Sequence, residues 1–168
     1  MWRTLSIPLA AVVLLVGVSG IQLYGSAVKP VLAAGSSDDN EGDKLSSSPD
    51  WKAGNSAIEE GNWDLAIMHF SKVVDADRGN AEAQNMLGYS FRKSGNFDLA
   101  LKHYKNALNI NPKHKGAHAY IGEAYLERGN LAKAEEHLAR LDDICTFGCR
   151  EYRSLKKAVG DYKKAQKN

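Results

Sequence analysis

A Gly-Asn pair recurs every 34 residues in this chain, at Gly61-Asn62, Gly95-Asn96 and Gly129-Asn130. A fixed period constrains the fold more than composition does, because equal units must fold alike and bury their apolar faces on one another. Other residues keep the same register. In the central copy, Ala81 to His114, they are Leu87-Gly88, Phe91, Phe97, Ala100, Tyr104, Ala107 and Pro112. Upstream they are Gly54, Ala57, Trp63, Ala66 and Phe70; downstream, Ile121-Gly122, Tyr125, Leu131, Ala134, Leu138 and Leu141.

Small residues and helix breakers at these places describe a helical hairpin. In the central copy one helix is expected from about Ala81 to Ser94 and a second from about Phe97 to Ile110. Gly88 and Ala100 are small where the two helices cross. Gly95-Asn96 closes the first helix, since both residue types tolerate a left-handed terminal position, and Pro112 ends the second. The order and spacing of these landmarks resemble the tetratricopeptide repeat. The resemblance implies an all-α fold, an α-solenoid of three hairpins (about 47–80, 81–114 and 115–148) with a C-terminal capping helix. The repeats proper are expected over 49–143, and the turn and capping helix over 144–168.

The first copy departs most, carrying Ala53 and Ala57 where the central copy has Leu87 and Phe91. Smaller residues suit a terminal unit with nothing stacked before it. Trp51 is read as a cover for that end, with a place in the binding groove as the alternative. Its second helix, Trp63 to Ala76, carries Ala66, Ile67, Phe70, Val73 and Val74 at helical spacing. After the third copy, Leu155, Ala158, Val159 and Tyr162 share one face of a basic helix, and from Ile144 onward seven basic residues stand against two acidic ones. That charge reads as a solvated face, with an anionic lipid headgroup or an acidic partner as the alternative.

Leu5 to Leu23 is apolar, with Arg3 ahead of it and small residues at Ala33-Ala34-Gly35-Ser36 behind. Residues 1–34 are therefore read as a signal peptide, or as an N-terminal membrane anchor if cleavage does not occur, when residues 5–24 would hold the chain to the membrane. The expected location is periplasmic or secreted, or anchored to the cytoplasmic membrane facing outward. Residues 35–48 are Ser-rich and acidic and are expected to be a disordered linker. Without residues 1–34, which hold Arg3 and Lys29, the 168-residue chain keeps 20 basic side chains against 20 acidic ones. Such a balance gives no reason to expect a nucleic-acid partner.

Cys145 and Cys149, the two cysteines of the chain, are most simply a disulfide in an oxidising compartment, pinning the turn before the capping helix. A metal- or redox-handling role for the pair is the competing reading. The stretch Leu141-Asp-Asp-Ile-Cys-Thr-Phe-Gly-Cys-Arg-Glu-Tyr152 resembles the tail of small exported tetratricopeptide proteins of alphaproteobacterial type, a resemblance that implies no activity. His69, His103 and His137 recur in the three second helices, too far apart to share an ion, and are read as partly exposed packing residues between repeats. His114 and His118 lack a third ligand for zinc, and Asp75 and Asp77 lack the other ligands of a calcium loop. No metal or cofactor is expected. Adjacent acids at Glu59-Glu60 and Glu135-Glu136 point to different helix faces, and no catalytic motif is present, so no enzyme is expected.

The repeat resemblance implies a groove lined by the first helices. Carried onto this chain, its lining is Lys52, Asn55, Ile58 and Glu59; Asn85, Met86, Tyr89, Arg92 and Lys93; and Ala119, Tyr120, Glu123, Leu126 and Glu127. Asn55 and Asn85 are the amides suited to a peptide backbone. The family's clamp for acidic C-terminal tails is not expected, because Trp51 and Met86 stand where lysine and asparagine are wanted. The implied function is a non-catalytic adaptor or scaffold outside the cytoplasmic membrane that binds a peptide or helix of another envelope protein. A structural protein self-assembling through weak contacts between repeats is the alternative.

Overall fold

The structure, a computed structural model, describes residues 48–167. The leader and almost all of the linker expected before Pro49 lie outside them. Seven helices follow one another: α1 (Pro49–Glu59), α2 (Trp63–Ala76), α3 (Ala81–Lys93), α4 (Phe97–Ile110), α5 (Lys115–Glu127), α6 (Leu131–Ile144) and α7 (Arg150–Ala165). Consecutive helices pair as hairpins α1/α2, α3/α4 and α5/α6. The hairpins stack through α2 on α3 and α4 on α5, and α7 covers α5 and α6. The chain is thus an α-solenoid with a cap.

Each Gly-Asn turn does two jobs. Gly61, Gly95 and Gly129 take φ of 71°, 87° and 75°, left-handed values that cost a residue with a Cβ. The following asparagine is not left-handed, in contrast to the expectation; Asn96 has φ −89°. Its N–H donates back to Phe91 O at 2.8 Å, closing the first helix. Its Oδ1 accepts from Leu99 N at 3.2 Å, opening the second. Asn62 and Asn130 repeat both bonds.

The turns between hairpins follow a second rule. Asp77 and Asn111 end α2 and α4, and their side chains accept from Gly79 N and Lys113 N, the local side-chain bond that lets Asp and Asn direct a turn. Cys145 occupies the equivalent place, 34 residues after Asn111. Its carbonyl accepts from Gly148 N at 3.0 Å as the carbonyls of Asp77 and Asn111 accept from Asn80 and His114. In this turn a covalent link stands in for the polar one: Cys145 and Cys149 form a disulfide, with Cα atoms 5.4 Å apart.

The capping helix is half a repeat. Leu155 falls 34 residues after Ile121 and 68 after Leu87, and all three are buried. Where the complete repeats follow this position with Gly54, Gly88 and Gly122, α7 has the exposed Lys156. Those glycines admit a close neighbour: Phe70 at Gly54, Tyr104 at Gly88, and Leu155 itself at Gly122. Among the described residues nothing packs on α7 at that place, and the long charged side chain of Lys156 is exposed. Its buried face, Leu155 and Val159, joins Leu141, Ala134 and Cys145 in one core cluster.

Candidate functional site

The first helices α1, α3 and α5 carry the residues assigned above to the groove. Packing divides them into two groups. Ile58 and Met86 are core residues, packed with Ala57, Phe70 and Leu87, and Ala119 and Leu126 belong to the cluster under the cap. Helical spacing alone could not separate these from surface positions, because they border the apolar stripe. Lys52, Glu59, Lys93 and Glu127 are exposed, while Asn55, Tyr89, Tyr120 and Glu123 are half-buried.

Arg92 draws the second group together. It sits in the last turn of α3 and reaches across to α5, where Glu123 and Glu127 stand one turn apart. Its Nη2 meets Glu123 Oε2 at 2.8 Å, and its Nη1 donates to Glu127 Oε1 at 2.8 Å. Its Cζ lies 5.6 Å from the ring centres of both Tyr89 and Tyr120, within the range of cation–π attraction. The two rings are themselves 5.0 Å apart. Burial alone would lower the pKa of Arg92, but Tyr104 and the carboxylates of Glu123 and Glu127 outweigh it and hold the guanidinium charged. Burial in turn raises the pKa of Tyr89 and Tyr120, so both are neutral phenols at physiological pH.

Asn85 is 2% exposed, with Nδ2 donating to Glu82 Oε1 at 3.2 Å. Its Oδ1 and Asn55 Oδ1 are buried and make no hydrogen bond within the chain, while the buried Tyr104 hydroxyl lies against the Arg92 guanidinium. Buried polar groups are normally paired, and the amide oxygens of Asn55 on α1 and Asn85 on α3 depart from that rule. Chemically the cluster holds two amides, a cation beside two phenols that touch each other, and two carboxylates. Among the described residues no three His, Cys, Asp or Glu side chains gather as a metal ion requires, and the disulfide leaves neither cysteine as a thiolate.

The three recurring histidines act within hairpins, which corrects the reading of them as packing residues between repeats. His69 Nδ1 pairs with Asp50 Oδ1 at 2.8 Å, His103 Nδ1 with Gln84 Oε1 at 2.9 Å, and His137 Nδ1 with His118 Nδ1 at 3.0 Å. Each partner lies 19 residues earlier, a regularity present in the sequence but hidden because Asp50, Gln84 and His118 differ in type. Trp51 meets Phe70 edge-on at 5.5 Å, inside the first hairpin. His114 caps α5, accepting from Ala117 N at 3.1 Å, and it pairs with Glu82 across the repeat boundary at 3.0 Å.

Comparison with known proteins agrees with this architecture. Two sequence profiles, each described as tetratricopeptide repeat, match residues 52–108 and 91–159. Together they span the hairpins and the start of the cap, and the chain belongs to the tetratricopeptide-repeat family. A search of curated protein sequences returns no match. Among solved structures, the chain is similar to the type III secretion translocator chaperone SycD of Yersinia enterocolitica. That similarity has a TM-score of 0.65 at 18% identity, covering 77% of this chain and 90% of that one. SycD in complex with a peptide of the translocator YopD gives 0.60 at 20%, covering 77% and 94%. The second repeat domain of human RPAP3, in complex with the HSP70 peptide SGPTIEEVD, gives 0.59 at 20%, covering 66% and 92%. At these identities the likeness is one of fold.

Proposed function

We propose that this chain is an exported, non-catalytic adaptor that holds a peptide or helix of another envelope protein against the first-helix face. The observation carrying the proposal is the cluster of Tyr89, Arg92 and Tyr120 that joins α3 to α5, beside Asn55 and Asn85, whose side-chain oxygens make no hydrogen bond within the chain. Amide acceptors suit the N–H groups of an extended backbone, and the phenol faces suit apolar side chains. Similar folds are seen holding peptides, as in the SycD complex with a YopD peptide. Glu123 and Glu127 would repel the acidic tail that the RPAP3 domain holds, so the occupant here is neutral or basic at that end.

Export rests on the apolar stretch Leu5–Leu23 and the small residues after it, with the Cys145–Cys149 disulfide fitting an oxidising compartment. On this reading the chain works in the periplasm or is secreted, or is anchored facing outward. The tail around the disulfide adds the resemblance to small exported proteins of proteobacterial type.

Photo-crosslinking tests the groove. A photoreactive residue is placed at Lys52, Lys93 or Glu127 on the first helices, and at Met68 on a second helix, all exposed. One partner captured from the envelope by the first three sites and not by Met68 supports the proposal. A partner captured only from Met68, or equally from all four, overturns it.

A further inference from the structure

Phe147 is 99% exposed, far more than the next large apolar side chains, Met68 at 44% and Ile110 at 41%. Its loop is not loose. The disulfide closes it, Gly148 N donates to Cys145 O at 3.0 Å, and Arg153 Nη1 donates to Gly148 O at 2.5 Å. The ring is therefore held out in water by a fixed backbone.

The helix that starts beyond the loop presents a cationic face. Arg153, Lys156, Lys157, Lys164 and Lys167 are exposed, while Leu155 and Val159 point into the core. The acid on that outer face, Asp161, is bound to Lys157 at 2.5 Å. Lys163, toward the edge, is engaged by Glu135 of α6. An exposed aromatic ring at the end of a row of lysines is the combination that settles at a lipid–water boundary.

We propose that the Cys145–Cys149 loop and the outer face of α7 form a docking edge for an anionic phospholipid surface, with Phe147 entering the headgroup layer and the lysines lying over the phosphates. Lysine ammoniums are point charges that attract phosphate without imposing planar geometry. A lipid surface also needs no shape complementarity, whereas a stable protein interface is built on a well-packed complementary core. Each basic residue close to an anionic surface strengthens binding by about fivefold, so the row is enough for reversible attachment. The proposal does not depend on the groove: a molecule docked by this edge keeps the first helices α1 and α3 for their own partner.

The test uses the full chain with vesicles of phosphatidylcholine alone, or with about one-third phosphatidylglycerol replacing it. Residues 1–34, with Arg3 and Lys29, are common to the wild type and to both variants below, so the variants isolate the basic edge. Amide hydrogen exchange over residues 145–153 is expected to slow by about tenfold on the anionic vesicles only, and the slowing is expected to disappear between about 0.05 M and about 0.5 M salt. Phe147→Ala, at a position with no contacts to lose, is expected to keep the helical content of the wild type and lose most of that slowing. The triple change Lys156→Glu, Lys164→Glu, Lys167→Glu is expected to lose all of it. Equal exchange on both vesicle types, or a Phe147→Ala variant protected like the wild type, overturns the proposal. Slowing produced by an acidic envelope protein and not by vesicles also overturns it and reassigns the edge to a protein.

Discussion

Leu155 of the capping helix lies directly on Gly122 of α5: a methyl group on that glycine would fall 2.5 Å from Leu155 Cδ2 and 2.7 Å from Cδ1. Leu155 is fully buried and has nowhere to withdraw. Gly122→Ala is therefore expected to destabilise the chain by about 1–3 kcal/mol, the usual cost of overpacking, by loosening α7 from the third hairpin. Hydrogen exchange would show it as lost protection over residues 150–165 with α1 and α2 unchanged.

His137 connects stability to pH. Burial, with help from the neighbouring His118, Lys133, Arg140 and Lys105, pushes its pKa down to about 4, while burial also lowers His118. The unfolded chain, with ordinary histidines near 6.5, binds more protons than the folded one between these values. Stability is therefore full above about pH 6.5 and declines as pH falls toward 4, by about 1–2 kcal/mol after allowing for the part of the ring open to water. His118→Gln recreates the arrangement of Gln84 with His103 and is expected to shrink the decline. Thermal melts at pH 7 and pH 4.5 compare the two.

Arg92 is 8% exposed and answers two carboxylates. Arg92→Ala leaves the half-buried Glu123 without its counter-charge and is expected to cost about 3–5 kcal/mol. Arg92→Lys keeps the charge but not the fork that serves both acids, and is expected to fall between the two. Urea unfolding measures all three chains. Loss of a partner by Arg92→Ala thus needs a folded control, whereas Glu127→Ala, on the exposed end of the cluster, is expected to cost less than about 1 kcal/mol.

Reduction of the disulfide opens a five-residue ring and is expected to remove about 2 kcal/mol by the chain-entropy relation. Thermal unfolding with and without dithiothreitol checks it, and the oxidised chain should show no titratable thiol.

The hairpins were legible because their signals are steric and repeat without variation: glycine where φ is positive, glycine or alanine where helices cross, and asparagine before each second helix. The cap was legible as an amphipathic helix, but its register with the first helices of the repeats was hidden by Lys156, which breaks the Leu-Gly landmark at a place where, among the described residues, no neighbour crowds the helix. The groove was only partly legible. Helix periodicity placed Asn85, Tyr89 and Arg92 on one face, but whether Met86 or Ile58 shows any surface depends on the neighbouring hairpin, which no local spacing encodes. The bridge from Arg92 to Glu123 and Glu127 spans 31 and 35 residues of sequence and follows only from the stacking offset.

The Gly-Asn turn has no spare residue, since the same asparagine completes the first helix through its N–H and begins the second through its side chain. A hairpin is therefore indivisible, and an insertion of even one residue there would uncouple two caps at once. At the junctions Asp77–Asn80 and Asn111–His114 the two tasks fall on separate residues: Asp77 and Asn111 close the helix before, and Asn80 and His114 cap the helix after. Whole hairpins can thus be duplicated, deleted or exchanged at those seams, which makes the length of this solenoid, and with it the length of chain it can hold, the property most open to change by recombination.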